Sequence, residues 1–162
     1  MAKETKTIGM KLLEGKKVGY ETAVYPPTIR DAEQVADAVN QDPNIVYKTL
    51  VVKPPEGNVK AKPMLVLVQS NMQLNLKKLA KAVKAKKLKM ATQKEAEKLT
   101  GLQVGGISPL ALVNKGFAIY LDESAQSLDK IVISAGQRGI QIIVGVKDLV
   151  KVTRARFVDV TG

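Results

Sequence analysis

The sequence predicts a mixed α/β domain, in which strands alternate with helices and some neighbouring strands also pair as hairpins. Two pairs of β-branched, apolar runs indicate the hairpins, because no helical segment separates the members of a pair: 45–52 with 64–69, and 130–134 with 140–144. Amphipathic segments between the other apolar runs supply helices that cover the sheet. Because parallel strands need a longer crossover, hairpins argue against a purely parallel sheet.

Caps and breakers place the elements in the first half of the chain. Gly15 ends the first helix, Thr28 or Asp31 begins the second, and a turn with Pro and Gly at 54–58 closes the first hairpin. The predicted helices of this half lie at about 5–14, 28–39 and 75–85. The predicted strands lie at about 18–25, 45–52 and 64–69.

The second half is predicted from the same kinds of signal. Thr92 and Glu95 form a capping box for a fourth helix that reaches about Leu99, and Gly101 is its C-cap. The predicted strands lie at about 88–91, 117–121, 130–134, 140–144 and 156–160, and a closing helix lies at about 146–150. No repeat or linker interrupts the chain, so we predict one domain over residues 1–162.

The composition excludes several classes of protein. The chain has neither cysteine nor histidine, which excludes disulfides, the usual zinc sites, the Ser-His-Asp triad and an imidazole base. We therefore predict no metal and no cofactor. No apolar run approaches the roughly 20 residues that a membrane span requires, and the first residues lead into no apolar signal segment. We expect a cytoplasmic protein without a membrane partner.

The charge predicts an anionic partner. Lys and Arg number 26 against 15 Asp and Glu, a formal net charge of +11. The excess is concentrated around the amphipathic helix predicted at 75–85. We predict that four lysines on its polar face contact phosphates, and the alternative is a solvated helix face. They are Lys77, Lys78, Lys81 and Lys84.

One lysine stands in an apolar strand pattern. Lys48 alternates with Val46, Leu50 and Val52, so it points where the pattern places apolar groups. Burying an ammonium costs several kcal/mol unless an anion, a ligand or water meets it. We interpret Lys48 as a group that receives an anion; the alternative is an edge-strand lysine whose ammonium reaches solvent.

A glycine-rich loop is the second candidate feature. Gly105 and Gly106 can expose backbone N–H groups to a bound anion, although the loop has neither P-loop nor Rossmann spacing. The segment that joins the last hairpin contains Ser134, Gly136 and Arg138. By itself, each of these two patterns also fits an ordinary turn.

In combination, these segments resemble the YbaK/EbsC family of aminoacyl-tRNA deacylases, which is related to the editing domain of bacterial prolyl-tRNA synthetases. Five blocks carry the resemblance, in the order and spacing of that family. The blocks are residues 46–50, 74–78, 86–91, 100–110 and 134–139. The Gly-Gly-Ile-Ser-Pro-Leu form of the loop most resembles the free-standing deacylases that clear Cys-tRNA(Pro).

The resemblance implies a mixed sheet curled towards a barrel, with helices around it and a pocket for the aminoacylated 3′ adenosine of tRNA. It implies catalytic roles for Lys48 and Gly106, which would stabilise an ester oxyanion or hold a phosphate. It also implies that residues of the first strand, the loop and the last hairpin bind substrate. They are Tyr25, Thr49, Gly105, Ile107, Ser108, Pro109, Ser134, Gly136 and Arg138.

The chain departs from the family pattern at several positions. Relatives often carry a histidine where this chain has Ala23, and an acidic residue near the positions of Gln141 and Ile143. These differences affect recognition of the α-ammonium of the amino acid. Ala111 and Gln137 stand where relatives often have glycine and lysine, which affects the choice of amino acid.

These implications favour a hydrolase that edits mischarged tRNA, above all Cys-tRNA(Pro). Because the chain has no imidazole or thiol, the resemblance implies that the cysteine sulfur of the substrate attacks its own ester. The expected partners are aminoacylated tRNA and prolyl-tRNA synthetase. The alternatives are a specificity for Ala-tRNA(Pro) or for Ser or Thr esters, a nonenzymatic tRNA or nucleotide binder, and a small-ligand-binding barrel.

Overall fold

The structure is a computed structural model that describes residues 6–29, 31–55 and 61–162. The helices in these residues are α1 (Ile8–Gly15), α2 (Ala32–Ala38), α3 (Leu76–Val83), α4 (Gln93–Thr100) and α5 (Val146–Thr153). The strands are β1 (Glu21–Val24), β2 (Tyr47–Val52), β3 (Met64–Gln69), β4 (Ala118–Asp122), β5 (Lys130–Ser134), β6 (Ile140–Gly145) and β7 (Arg156–Val158). Two 3₁₀-helices are η1 (Pro109–Leu112) and η2 (Glu123–Ser127).

The strands form two sheets. In the first sheet, β6 lies between β1 and β5 and is antiparallel to both. In the second sheet, the order is β2-β3-β4-β7, with an antiparallel β2–β3 hairpin followed by two parallel pairs. The predicted mixed direction and both predicted hairpins are confirmed.

A parallel bridge links the two sheets. Val46, just before β2, pairs with Val132 of β5, and the Val132 N–H donates to the Ile45 carbonyl at 2.9 Å. In the described parts of the chain the strands are not seen to close further. The barrel that the resemblance implied is therefore not confirmed.

The main hydrophobic core lies between the sheets, and helices cover the remaining faces. Residues of β2 alternate between two clusters: Tyr47 and Val51 enter the core between the sheets, whereas Leu50 and Val52 pack in the cluster beneath α3. Leu79 of α3 is fully buried in that second cluster. Side chains of α1, α5 and η1 complete the core between the sheets.

Side-chain caps fix the starts of the helices. Asp31, rather than Thr28, begins α2, because its carboxylate accepts from the backbone N–H of the second helical residue. The capping box predicted for α4 is confirmed: Thr92 and Glu95 exchange bonds of 3.2 and 3.0 Å between side chain and backbone. Gly101 is the left-handed C-cap, with φ of 72°.

Three local predictions need correction or lie outside the described residues. The segment 88–91 is not a strand: Met90 forms an isolated bridge with Val52, and Thr92 then begins α4, which ends the extended segment. Both 3₁₀-helices were missed, although Ser108 before Pro109 is the cap-then-proline pattern of a helix start. Residue 5 of the first predicted helix, residue 30 of the second and residues 56–58 of the predicted turn lie outside the described residues.

Candidate active site

The glycine-rich loop at 104–108 packs against the turn between β5 and β6. Arg138 Nε donates to the Val104 carbonyl at 2.6 Å, and the Tyr25 hydroxyl donates to the Gly105 carbonyl at 3.5 Å. The Tyr25 N–H donates to the Gly139 carbonyl at 2.9 Å. The loop, the hairpin turn and the end of β1 therefore meet at one place, as the predicted site requires.

Gly106 is needed for close packing of the loop on the hairpin. A Cβ at this position would lie 2.8 Å from the backbone nitrogen of Arg138 and 3.0 Å from the carbonyl carbon of Gln137. The backbone would therefore have to move. The Gly106 N–H donates to the Gln103 carbonyl at 2.8 Å. This N–H is bonded within the loop in this structure, and its contact with an oxyanion stays a prediction. The reason for glycine here is space rather than a free donor.

Other N–H groups of the loop remain open. The Val104 N–H donates to the Glu97 carboxylate at 2.9 Å, and Gly105 and Gly136 have φ of 94° and 99°, in the left-handed region. The N–H groups of Gly105, Ile107 and Ser108 find no acceptor among the residues that the structure describes. These three N–H groups are the donors of the loop that an anion could use.

Lys48 lies in β2, at the edge of the second sheet. Its side chain is half-buried opposite Val68, on the face that carries Leu50 and Val52, as the alternation predicted. The ammonium donates to the Ser70 carbonyl at 3.5 Å, and no carboxylate pairs with it in the described residues. A half-buried cation without a counter-ion favours an anionic ligand. The position of Lys48 at the sheet edge is equally compatible with the alternative, a lysine whose ammonium reaches solvent.

Lys48 shares its face with a row of residues from the first sheet. Ala23 of β1 is opposite Gln141 of β6, and Gln141 is opposite Ser134 of β5. Opposed residues of antiparallel strands point to the same side. The bridge between the sheets extends this face to β2, because Lys48 and Ser134 each lie two residues beyond it. We call Ala23, Gln141, Ser134 and Lys48 the polar row.

Gln141 contributes an unpaired acceptor to the polar row. Its side chain is 5% exposed, and Oε1 has no hydrogen-bond partner among the residues that the structure describes. A buried acceptor without a donor costs about 1–3 kcal/mol, so a ligand N–H that reaches Oε1 would remove this cost. The neighbouring Ser134 hydroxyl accepts from the Gly136 N–H at 3.2 Å. The only sequence signal for Gln141 was its departure from the acidic residue common in relatives.

Several predicted substrate contacts lie away from the polar row. Thr49 is paired with Leu67 on the opposite face of β2, and its buried hydroxyl has no partner. Ser108 is 0% exposed and caps η1 by accepting from the Leu110 N–H at 3.2 Å. Pro109 is the buried first residue of η1. These three side chains pack beneath the loop in this structure, and their contact with substrate stays a prediction.

The predicted lysines on α3 differ in their surroundings. Lys78 Nζ pairs with the Asp159 carboxylate at 3.2 Å and donates to the Thr161 carbonyl at 2.8 Å. The other three lysines are exposed, and their contact with tRNA stays a prediction. They are Lys77, Lys81 and Lys84.

Tyr47 and Glu95 are two of the groups outside the polar row whose pKa values are shifted. Burial raises the pKa of the Tyr47 phenol above its ordinary value, and Ser124, 2.7 Å away, partly opposes this shift. The backbone N–H of Thr92, together with Lys53 and the Thr92 hydroxyl, lowers the pKa of Glu95 to about 2. Both groups keep their ordinary charge near neutral pH, so neither supplies a titrating base there.

Among the residues described, no three His, Cys, Asp or Glu side chains gather as a metal site would require. The helices of this part of the chain are too short or too polar to cross a membrane.

The similarity of this chain to known proteins indicates the class of protein to which it belongs. A family model described as the aminoacyl-tRNA editing domain matches residues 26–152. The Enterococcus faecalis protein EbsC, named as a candidate Cys-tRNA(Pro)/Cys-tRNA(Cys) deacylase, is 36% identical over 160 residues, which cover 98% of this chain and 94% of EbsC.

Two further relatives extend this comparison. A proline–tRNA ligase of Sulfurihydrogenibium sp. is 34% identical over 120 residues, which cover 74% of this chain but only 20% of the ligase. The crystal structure of a candidate trans-editing enzyme for prolyl-tRNA synthetase has a TM-score of 0.76 and 24% identity, over 98% of this chain and 99% of that one. At this identity the likeness supports the fold alone.

The fold and these matches define the class of the protein as an editing hydrolase of aminoacyl-tRNA. The family model covers most of the chain, and EbsC is similar over nearly its whole length. The chain therefore belongs to the aminoacyl-tRNA editing domain family. The predicted resemblance to the YbaK/EbsC deacylases is confirmed, and so is the enzyme class, aminoacyl-tRNA deacylase.

Proposed function

We propose that this chain is a single-domain, cytoplasmic enzyme that hydrolyses the 3′ ester of mischarged Cys-tRNA(Pro) in trans. The observation that carries the proposal is the half-buried ammonium of Lys48, which pairs with no carboxylate of the described residues. It shares a face with the unpaired Oε1 of Gln141. An aminoacyl ester offers both a carbonyl oxygen or phosphate for the cation and an α-ammonium for the acceptor.

Lys48 acts as the electrostatic group in this proposal. As a nucleophile adds to the ester carbonyl, negative charge develops on the carbonyl oxygen, and a fixed cation stabilises that charge. The unbonded N–H groups of Gly105, Ile107 and Ser108 are the second set of donors for the same oxygen or for the terminal phosphate. No cofactor or metal is needed for this role.

The nucleophile comes from the substrate or from water, because the chain contains no imidazole or thiol. In the substrate-assisted route, the cysteine thiolate attacks its own carbonyl carbon. The C–S bond forms, the C–O bond to the ribose breaks, and the ribose oxygen takes a proton from water. A second water then opens the cyclic thioester and releases cysteine. The enzyme contributes position and charge stabilisation rather than a side-chain base.

Gln141 is the proposed acceptor for the α-ammonium. Its neutral amide stands where relatives often have a carboxylate, so it binds the ammonium through a hydrogen bond without a full ion pair. With an amide in place of a carboxylate, recognition of the α-ammonium depends on hydrogen-bond geometry more than on charge. Ala23, which is paired with Gln141, has a short side chain, and we propose that the amino acid of the substrate lies beside it.

Binding of the tRNA body is proposed to include the exposed lysines of α3, and prolyl-tRNA synthetase is the proposed partner that supplies mischarged tRNA. The relation of this chain to part of a proline–tRNA ligase supports that partner. Two alternative functions are each compatible with one specific observation. The neutral Gln141 is compatible with Ala-tRNA(Pro) or Ser or Thr esters, and the bonded Gly106 N–H with a nonenzymatic tRNA or nucleotide binder.

The test is deacylation of Cys-tRNA(Pro), Ser-tRNA(Pro) and Ala-tRNA(Pro) from about pH 6 to pH 9. We expect Cys-tRNA(Pro) to react fastest, with a rate that rises as the substrate thiol ionises with a pKa near about 8.5. Equal rates on the three esters would replace the sulfur route by attack of water and favour the broader specificity. Binding of all three without turnover would establish the nonenzymatic alternative.

A further inference from the structure

A basic groove lies apart from the polar row. Its walls come from the ends of α1 and α5, the segment before β3, the loop after η1 and the start of β7. Six exposed cations line it. They are Lys16, Lys17, Lys62, Lys151, Arg154 and Arg156. We call these six residues the basic groove.

The basic groove is almost without compensating charge. None of its six cations pairs with a carboxylate among the described residues. The one acidic lining residue is Asp148, whose Oδ2 lies 3.3 Å from where a Cβ of Gly145 would be, at the start of α5. Its position there serves the N-terminus of that helix rather than the cations across the groove.

Helix ends explain only part of this charge. The carbonyl groups at a helix C-terminus favour a nearby cation by about 0.3–1 kcal/mol. Lys16 is the C-cap of α1 and Arg154 the C-cap of α5, so each helix end already has one cation. Lys62 and Arg156 belong to neither helix. Separate segments of the chain therefore bring cations to one concave surface, which self-repulsion opposes unless an anion occupies it.

We propose that the basic groove binds the sugar-phosphate backbone of the acceptor arm of tRNA. This inference rests on the deacylase function proposed above, for which it supplies the surface that holds the RNA. A polyanion suits the groove because successive phosphates can meet cations from successive segments. Half-buried Phe117 and Tyr120 on the groove wall offer apolar surface to a ribose or base.

Helix α1 runs from the β5–β6 turn to the basic groove. A Cβ on Gly9 of α1 would lie 3.1 Å from the Ala135 carbonyl, beside the β5–β6 turn, while Lys16 and Lys17 follow the same helix into the groove. Eight helical residues span about 12 Å, the length of about four phosphates of one strand. The β5–β6 turn, which follows Ser134 of the polar row, is thus separated from the groove by the length of this helix.

The test compares three variants that each remove three positive charges. The groove variant is Lys151→Gln, Arg154→Asn, Arg156→Gln, and the α3 variant is Lys77→Gln, Lys81→Gln, Lys84→Asn. Asparagine is used at Arg154 and Lys84 because both have φ of 59°. The control variant is Lys94→Gln, Lys98→Gln, Lys130→Gln, whose lysines are exposed elsewhere. A second groove variant, Lys16→Gln, Lys62→Gln, serves if the first does not fold.

The readouts are the affinity for uncharged tRNA at several salt concentrations, and hydrolysis of charged tRNA and of 3′-O-cysteinyl adenosine. We expect the groove variant to lose about tenfold or more in affinity and to flatten the log–log salt slope by roughly two, at about 0.7–0.9 per contact. Its rate on the adenosine ester should equal that of the wild type. The α3 variant should change the slope less, and the control variant should not change it.

The two proposals can fail separately. Unchanged affinity and slope in both groove variants, or an equal loss in the control variant, would overturn RNA binding by the groove. Failure of the wild type to cleave either ester would instead overturn the deacylase proposal, and the binding of uncharged tRNA would still decide the role of the groove.

Discussion

The polar row and the basic groove hold positive charge in different ways. The polar row has one half-buried cation, Lys48, among neutral groups, whereas the basic groove has six exposed cations on an open surface. Charges that are partly removed from water interact more strongly than exposed charges, which salt also screens. One residue can therefore dominate the reaction, whereas many residues each contribute a small part of the affinity for RNA. Substitutions in the two regions should differ accordingly.

The largest effect is expected at Lys48. Lys48→Ala removes the cation from the polar row, so deacylation of Cys-tRNA(Pro) and of 3′-O-cysteinyl adenosine should both fall by about 10²-fold or more. Affinity for uncharged tRNA should change little. Lys130→Ala, at an exposed lysine in β5, is the matched control. Activity of the Lys48 variant within about threefold of wild type would establish the solvated-lysine alternative.

The next effect concerns the packing of the loop. Gly106→Ala places a methyl group 2.8 Å from the Arg138 nitrogen, so the loop and the hairpin turn must separate. We expect a lower melting temperature, because overpacking usually costs about 1–3 kcal/mol of stability. Turnover should fall by about fivefold or more if the same strain displaces the loop in the reacting complex, since 1 kcal/mol is about a factor of five. Gly15→Ala is the control, since its Cβ would meet nothing within 4 Å. Equal melting temperatures for the two variants would contradict the close approach seen here.

Gln141 allows function to be separated from stability within the polar row. Gln141→Leu removes a buried acceptor that has no donor, so thermal stability should stay the same or increase, by up to about 1–3 kcal/mol. The KM for the cysteinyl ester should increase by about tenfold if Oε1 binds the α-ammonium, since a hydrogen bond to a charged group contributes about 1.5–3 kcal/mol. The measurements are thermal unfolding and steady-state kinetics. A less stable variant with unchanged KM would show that the amide is structural.

The smallest effect lies outside both regions. The pKa of Glu95 is lowered to about 2 from an ordinary 4.5, so the contribution of its carboxylate to stability is fully present above about pH 4.5. That contribution is lost as the pH falls towards 2. Glu95→Gln should therefore be less stable than wild type at pH 7, and the two should converge near pH 2 in acid unfolding. A difference that persists unchanged at pH 2 would exclude the ionised carboxylate as its source. Neither tRNA affinity nor turnover should respond.

Local sequence signals predicted much of the framework. The capping box at Thr92 and Glu95 and the hairpin of β2 with β3 follow from short-range patterns, and both were confirmed. Alternation along β2 placed Lys48 on its correct face, and the same rule places Thr49 on the other. The substrate contact that the resemblance implied for Thr49 stays a prediction, and its side chain lies on the face opposite to that of Lys48.

Features that depend on distant segments were harder to predict. The polar row requires the pairing registers of β1, β5 and β6 and a bridge between two sheets, none of which is encoded in one short stretch. The basic groove collects cations from α1, α5 and the segments before β3 and β7, whereas the sequence drew attention to the lysines clustered near α3. The density of charge along a chain is therefore a poor guide to its density in space.

The edge of β2 has a consequence for how the protein behaves in solution. Bridges at Val46 and Val52 occupy the two ends of that edge, and no strand of the described residues covers the stretch between them. An apolar, uncovered edge is a template for pairing with another chain, and a lysine in its middle opposes such pairing. We therefore expect Lys48 also to oppose aggregation through this edge, including in molecules that have no substrate bound.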